Sequence, residues 1–220
     1  MENIKDYRNK ELTWYIIANI LILFCMLSGF NLNITSEVSS TAEIVNKVLG
    51  ISVFSGIIYV FVFILDSIFD STTKKYIVNL KFKLPGQVVF SNLKNKKYKD
   101  IRFTLEDVEN KYKDIYDNMP NEKKEKCNYE NKNWYNIYKK HKDDKMIFIS
   151  NRDYLLSRDM NISTVALLII YILLTVFNVI PFESIYIIYL IFMIFITNLI
   201  TRQKSKRFVL NVIAHDLSCK

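Results

Sequence analysis

The chain has 220 residues, half of them hydrophobic, with four Gly and three Pro, and 30 Lys and Arg against 22 Asp and Glu give a net charge of +8. Length alone suits one or two domains, but the apolar residues clump: 25 charge-free residues separate Glu11 from Glu37, 18 separate Lys47 from Asp66, 23 separate Asp159 from Glu183 and 18 separate Glu183 from Arg202. A helix needs about 20 mostly apolar residues to cross a hydrocarbon core, so this pattern excludes an ordinary soluble globule and predicts four spans, near Leu12–Phe30, Val48–Leu65, Ile162–Ile180 and Phe182–Thr201.

The first span carries Asn19 near its middle, an amide able to hydrogen-bond between helices or, repeated around an oligomer, to form a polar ring. Its apolar run is longer than a signal-peptide core and no small-x-small cleavage site follows, so it reads as retained. The triplet "NIT" at Asn33–Thr35 fits a glycosylation acceptor on the outer face, relevant only in a host that glycosylates; the Lys-, Ile- and Asn-rich composition resembles a low-GC bacterium. Asp66 closes the second span four residues before Asp70, so the two share a helical face. An ionisable group there reads either as an interfacial acid or as part of an ion route. Asp66 and Asn19 are therefore the candidate pathway residues.

Residues 71–160 form a basic insert with 21 Lys and Arg against 13 Asp and Glu. Within it "LPGQVVFSNL" predicts a turn at Leu84–Gln87 and a short helix through Leu93. Thr104 is the expected N-cap of a helix that repeats Leu105, Val108, Tyr112, Ile115 and Tyr116 at helical spacing and stops at Met119-Pro120. A second helix is expected from about Asn121, with Trp134, Ile137, Tyr138 and His141 on one face. A third starts near Asp143–Asp144 and runs straight into the third span.

Trp134 and Tyr138 are the candidate partner or ligand face, although aromatics at this spacing equally fit a core. Lys-rich segments beside a membrane usually meet anionic lipid, which weighs against a nucleic-acid surface. In a continuous third helix Arg152, Leu156 and Asp159 share a face. Arg152, Arg158 and Asp159 then form either a headgroup collar at the membrane edge or an inner vestibule or subunit contact. After the fourth span, Phe208, Val209, Val212, Ile213 and Leu217 recur at helical spacing behind four basic residues. That tail reads as a short amphipathic helix on the inner leaflet.

Enzymatic signatures are missing: there is no Gly-rich phosphate loop, no His-x-x-x-His, no Cys-x-x-Cys and no Gly-x-Ser-x-Gly. The two histidines lie in separate segments and no cysteine pair has a metal spacing, so neither a catalytic role nor a cofactor or metal is expected. Of the 30 basic residues only Lys47 lies between spans one and two. The Lys/Arg excess marks cytoplasmic flanks, which predicts that both termini and the insert face the cytoplasm of a bacterial plasma (inner) membrane. The expected fold is an all-α integral membrane protein, with four spans in a 2+2 arrangement around the insert. Its parts are 1–70, an N-terminal helix and first hairpin; 71–160, the insert; 161–201, the second hairpin; and 202–220, the tail.

The segments "LPGQVVFSNL", "WYNIYKK" and "NRDYLLSRD" before a span resemble a pattern in small bacterial membrane proteins. The layout of two spans, helical insert and two spans resembles the four-span effectors of bacterial phage defence, of abortive-infection type. The resemblance implies perturbation of the inner membrane, directed by a cytoplasmic part that senses a signal or partner; it carries over no functional residue. Two readings follow: an oligomeric channel-like effector gated through the insert, or a non-conducting scaffold or sensor that recruits a soluble partner. The expected partners are membrane lipids, further copies of the chain, and a soluble cytoplasmic partner or an anionic nucleotide signal. Polar side chains aligned towards a common axis favour the effector; an exposed aromatic patch at Trp134 favours the scaffold.

Overall fold

A computed structural model describes residues 4–27, 50, 53, 56–62, 64, 67, 69–79 and 83–219. Among these residues all regular structure is helical: α1 (Ile4–Leu27), α2 (Ser71–Asn79), a 3-10 turn (Pro85–Gln87), α3 (Val89–Lys94), α4 (Leu105–Lys111), α5 (Lys113–Asp117), α6 (Lys123–His141), α7 (Lys145–Val176) and α8 (Ser184–Ser218). Residues 56–62 are helical as well. Two compact units result, one from Met1–Val78 with Leu156–Asn198 and the other from Asn79–Leu155 with Leu199–Lys220. The long helices α7 and α8 each contribute to both.

The first unit is built from α1, residues 56–62 and the apolar parts of α7 and α8. Ile16, Ile20, Val62, Leu167, Ile170 and Leu190 form its core. Helices α7 and α8 are each long and apolar enough to cross a membrane. Much of their apolar surface is turned outward: Ile185, Ile188, Phe192, Phe195 and Leu199 form an exposed stripe on α8 at intervals of three and four residues. Several polar groups of this unit are bonded internally, although Asn161 Oδ1 and the Ser163 hydroxyl are buried without a hydrogen-bond partner among the described residues. Asn161 Nδ2 donates to Thr197 Oγ1 and to the Ile194 carbonyl, both at 2.9 Å, and Tyr15 Oη meets Thr164 Oγ1 at 2.7 Å.

The third expected span stops at Val176 rather than Ile180, because Asn178 adopts φ +56°, a left-handed position that Asn tolerates. The amides of Asn178 and Val179 donate to the carbonyls of Thr175 and Leu174, a Schellman close. Tyr171 Oη then bonds both the amide and the carbonyl of Glu183 and fixes the start of α8.

The second unit has its own core of Phe90, Val108, Tyr112, Trp134, Ile147, Phe208 and Ile213, among others. The "LPGQ" turn and short helix form as expected, and Thr104 caps α4 in a capping box with Asp107. The expected single helix through Tyr116 breaks at Tyr112 into α4 and α5. Helix α6 begins at Lys123 and α7 at Lys145; Asp144 Oδ1 accepts from the amides of Met146 and Ile147, so this acid is a helix cap. Helix α7 runs unbroken into the apolar segment, as the sequence predicts.

The segment 202–220 departs from its expectation. Val212 and Ile213 are fully buried and Phe208, Val209 and Leu210 nearly so, all inside the core they share with the insert. An apolar stripe needs a cover, and here protein supplies it rather than the inner leaflet.

Candidate functional site

Helix α8 emerges from its apolar part at Thr201 into a run of cations, and the second unit folds that run into a groove. A cleft of about 810 Å³ is walled by Lys99, Arg102, Lys204, Lys206 and Arg207. A neighbouring cleft of about 520 Å³ shares Lys204, Arg207 and Asn211 with it and adds Lys145 and Asp153. Both volumes suit a small ligand. The acids present are already engaged. Asp100 accepts from Arg102 Nη2 at 2.6 Å and from Nε at 2.8 Å, and these bonds hold its carboxyl below the usual range.

Asp153 accepts from Lys204 Nζ at 2.9 Å and from Arg152 Nη2 at 2.9 Å. Burial pushes its carboxyl up, but the two cations outweigh that and leave it lowered. Lys206 sits 4.7 Å over the Tyr98 ring. Lys99 and Arg207 make no ion pair among the described residues, so the groove keeps spare positive charge suited to phosphate.

The residues singled out in the sequence are placed as follows. Arg152 is half-buried and reaches the groove through its pair with Asp153. Arg158 and Asp159 belong to the first unit and are 8% and 1% exposed; Arg158 Nε and Nη2 donate to Asp159 Oδ1 at 2.9 and 2.8 Å. The pair is turned inward, not out towards headgroups, because a charge leaving water keeps its partner with it. Trp134 is buried, stacked on Tyr138 at 5.8 Å and edge-on to Phe208 at 5.4 Å. The candidate ligand face is thus a wall of the core, and the aromatic beside it that is exposed is Tyr135.

Asn19 is 2% exposed, with Nδ2 donating to the Tyr15 carbonyl and Oδ1 accepting from Tyr189 Oη, both at 2.8 Å. Asp66 lies outside the described residues.

A second constellation had only a faint signal. The two histidines meet beside Asp216, with His141 Nε2 and Asp216 Oδ1 2.7 Å apart. His215 in the last turn of α8 and Cys219 just past its end, four residues apart, were the one local hint; that His141 joins them depends on how α6 packs against α8, which no spacing records. Comparison with protein-family models, curated proteins and solved structures finds no match to this chain.

Proposed function

We propose that the chain is an oligomeric, four-span effector of a bacterial inner membrane, gated through its second unit by a phosphate-bearing anion. The observation that carries the reading is α8. One uninterrupted helix bears an exposed apolar face in its first part and, from Ile200 to Asn211, a wall of the cationic groove. For the two further spans, α1 leaves Trp14, Leu21 and Ile22 exposed, and the second apolar segment leaves Ile57, Val60 and Phe61 exposed. Large apolar side chains on four helical segments suit hydrocarbon better than water. The Lys/Arg distribution argues for a cytoplasmic second unit, and the defence setting rests on the resemblance in layout.

The alternative, a non-conducting membrane scaffold or sensor, draws support from Asn19, Asn161 and Thr197, whose hydrogen bonds close within one copy rather than towards a shared axis. Liposome flux separates the two. The full chain is reconstituted and titrated with mono- and cyclic nucleotides, with Lys99→Glu/Arg207→Glu as the groove variant and Asn19→Leu as the span variant. The effector reading expects nucleotide-dependent ion flux, lost in the groove variant while membrane insertion is retained. Absence of flux from inserted wild-type protein with every nucleotide rejects it in favour of the scaffold. Asn19→Leu leaves Tyr189 without its acceptor and costs about 0.5–2 kcal/mol of helix association. A change of ion selectivity without loss of stability would instead return Asn19 to the pathway.

A further inference from the structure

The chain has two histidines, and the fold brings them together: His141 ends α6, His215 lies in the last turn of α8, and their rings are 5.0 Å apart. Cys219 Sγ lies 3.7 Å from His215 Nε2. One donor atom from each of the three residues falls within 4.8 Å of the other two. We propose that His141, His215 and Cys219 bind a divalent transition metal of the zinc class, a site separate from the cationic groove.

The donor set is the first argument. Two imidazoles and a thiolate suit zinc and disfavour the hard cations, which take oxygen. Ligands roughly 2.0–2.3 Å from a tetrahedral metal stand roughly 3.3–3.8 Å from one another. The His215–Cys219 pair is already at that separation. Bringing His141 in calls for a shift on the order of 1 Å, within reach of a change in side-chain torsion.

The surroundings are the second argument, because metal-binding histidines characteristically turn their other nitrogen to a carboxylate. Both do so here. Asp144 Oδ2 lies 3.9 Å from His215 Nδ1, which leaves Nε2, the nitrogen near Cys219, for the metal. Asp216 Oδ1 lies 2.7 Å from His141 Nε2, and its other oxygen accepts from Tyr112 Oη at 2.8 Å. Asp216 is therefore oriented from two sides, as the carboxylate behind His141 or as a fourth ligand in its place beside the metal.

Lys111 completes the frame. Its ammonium donates to the carbonyl of Cys219 at 2.9 Å and to that of Asp216, and so fixes the backbone that carries the thiol. The imidazoles are partly buried and Cys219 is exposed, which gives a metal an entry path. Once bound, the metal joins the end of α6 to the end of α8 within the second unit.

The test uses the full chain in detergent, stripped with chelator and titrated with Zn²⁺ or Co²⁺. The expected result is one metal per chain, with a thiolate-to-cobalt charge-transfer absorption for Co²⁺ and Zn²⁺ protection of Cys219 from alkylation at the peptide level. Cys219→Ser removes the absorption. His141→Gln, His215→Gln and Asp216→Asn each weaken binding about tenfold or more, with helicity checked by circular dichroism. Cys219 is exposed, so its serine variant keeps the test valid even where a histidine variant unfolds. Failure of wild type to retain stoichiometric metal overturns the proposal. So does a cobalt complex without the thiolate absorption whose affinity is unchanged in Cys219→Ser.

Discussion

A carboxylate that is only 1% exposed must be bonded or it would not be tolerated, and Glu130 is such a group. It lies on α6 and reaches across to α3, where its Oε2 accepts from the Ser91 amide at 3.0 Å and its Oε1 from the Ser91 hydroxyl. Ser91 stands in the first turn of α3, whose own N-cap, Val88, has no side-chain oxygen to offer. Glu130 therefore does from a distance what a Ser or Asp cap does locally. Glu130→Ala should lower stability by about 1–3 kcal/mol, the cost of leaving buried donors unpaired. Hydrogen exchange should show α3 amides losing protection first. Equal protection in the variant would mean that α3 is held by Val89, Phe90 and Leu93 alone.

Among the elements, α7 and α8 each have parts with different partners, and α8 is where the sequence was least explicit. Thr104 before an acidic first turn announces an N-cap, and Thr104 caps α4. The apolar spacing through Phe148, Leu155 and Ile162 announces an unbroken helix, and α7 is unbroken. Both signals are local and survive any tertiary context. The stripe Phe208–Val212–Ile213 announces only that something apolar covers it. Lipid and protein satisfy it equally, so the choice of cover is a long-range fact and was misread. The meeting of His141 with His215 was hidden for the same reason, while Trp134, named as a candidate ligand face, carried the competing core reading in its helical spacing. Phe208 packs edge-on against Trp134 and Tyr138 and stacks on Tyr154 at 6.2 Å. Phe208→Ala should thus destabilise the second unit by about 3–5 kcal/mol, read as faster exchange in α6. A leaflet helix would instead lose vesicle affinity and leave α6 unchanged.

At the scale of the molecule, the apolar surface on the first unit and the +8 net charge make topology and assembly measurable together. Cys127 is buried and so a poor reporter, whereas Cys219 is exposed. In intact cells a membrane-impermeant maleimide should label a cysteine introduced at Ser39 and should reach Cys219 only after permeabilisation with chelator present. Labelling of Cys219 from outside would reverse the orientation. Mass measurement in nanodiscs should give a closed oligomer, for which a tetramer is expected; a strictly monomeric particle would remove the channel reading.

The second unit is discontinuous in the chain, drawing Asn79–Leu155 and Leu199–Lys220 into one core. Ribosomes add roughly 5–20 residues per second, so the insert waits roughly 2–9 seconds after Leu155 for Leu199 to be made. During that delay Phe90, Trp134 and Ile147 lack the Phe208–Ile213 stripe that seals them. Maturation is therefore ordered in time: the second apolar hairpin must be synthesised before the second unit can close, and a nascent chain stalled between them presents open hydrophobic surface to chaperones and proteases.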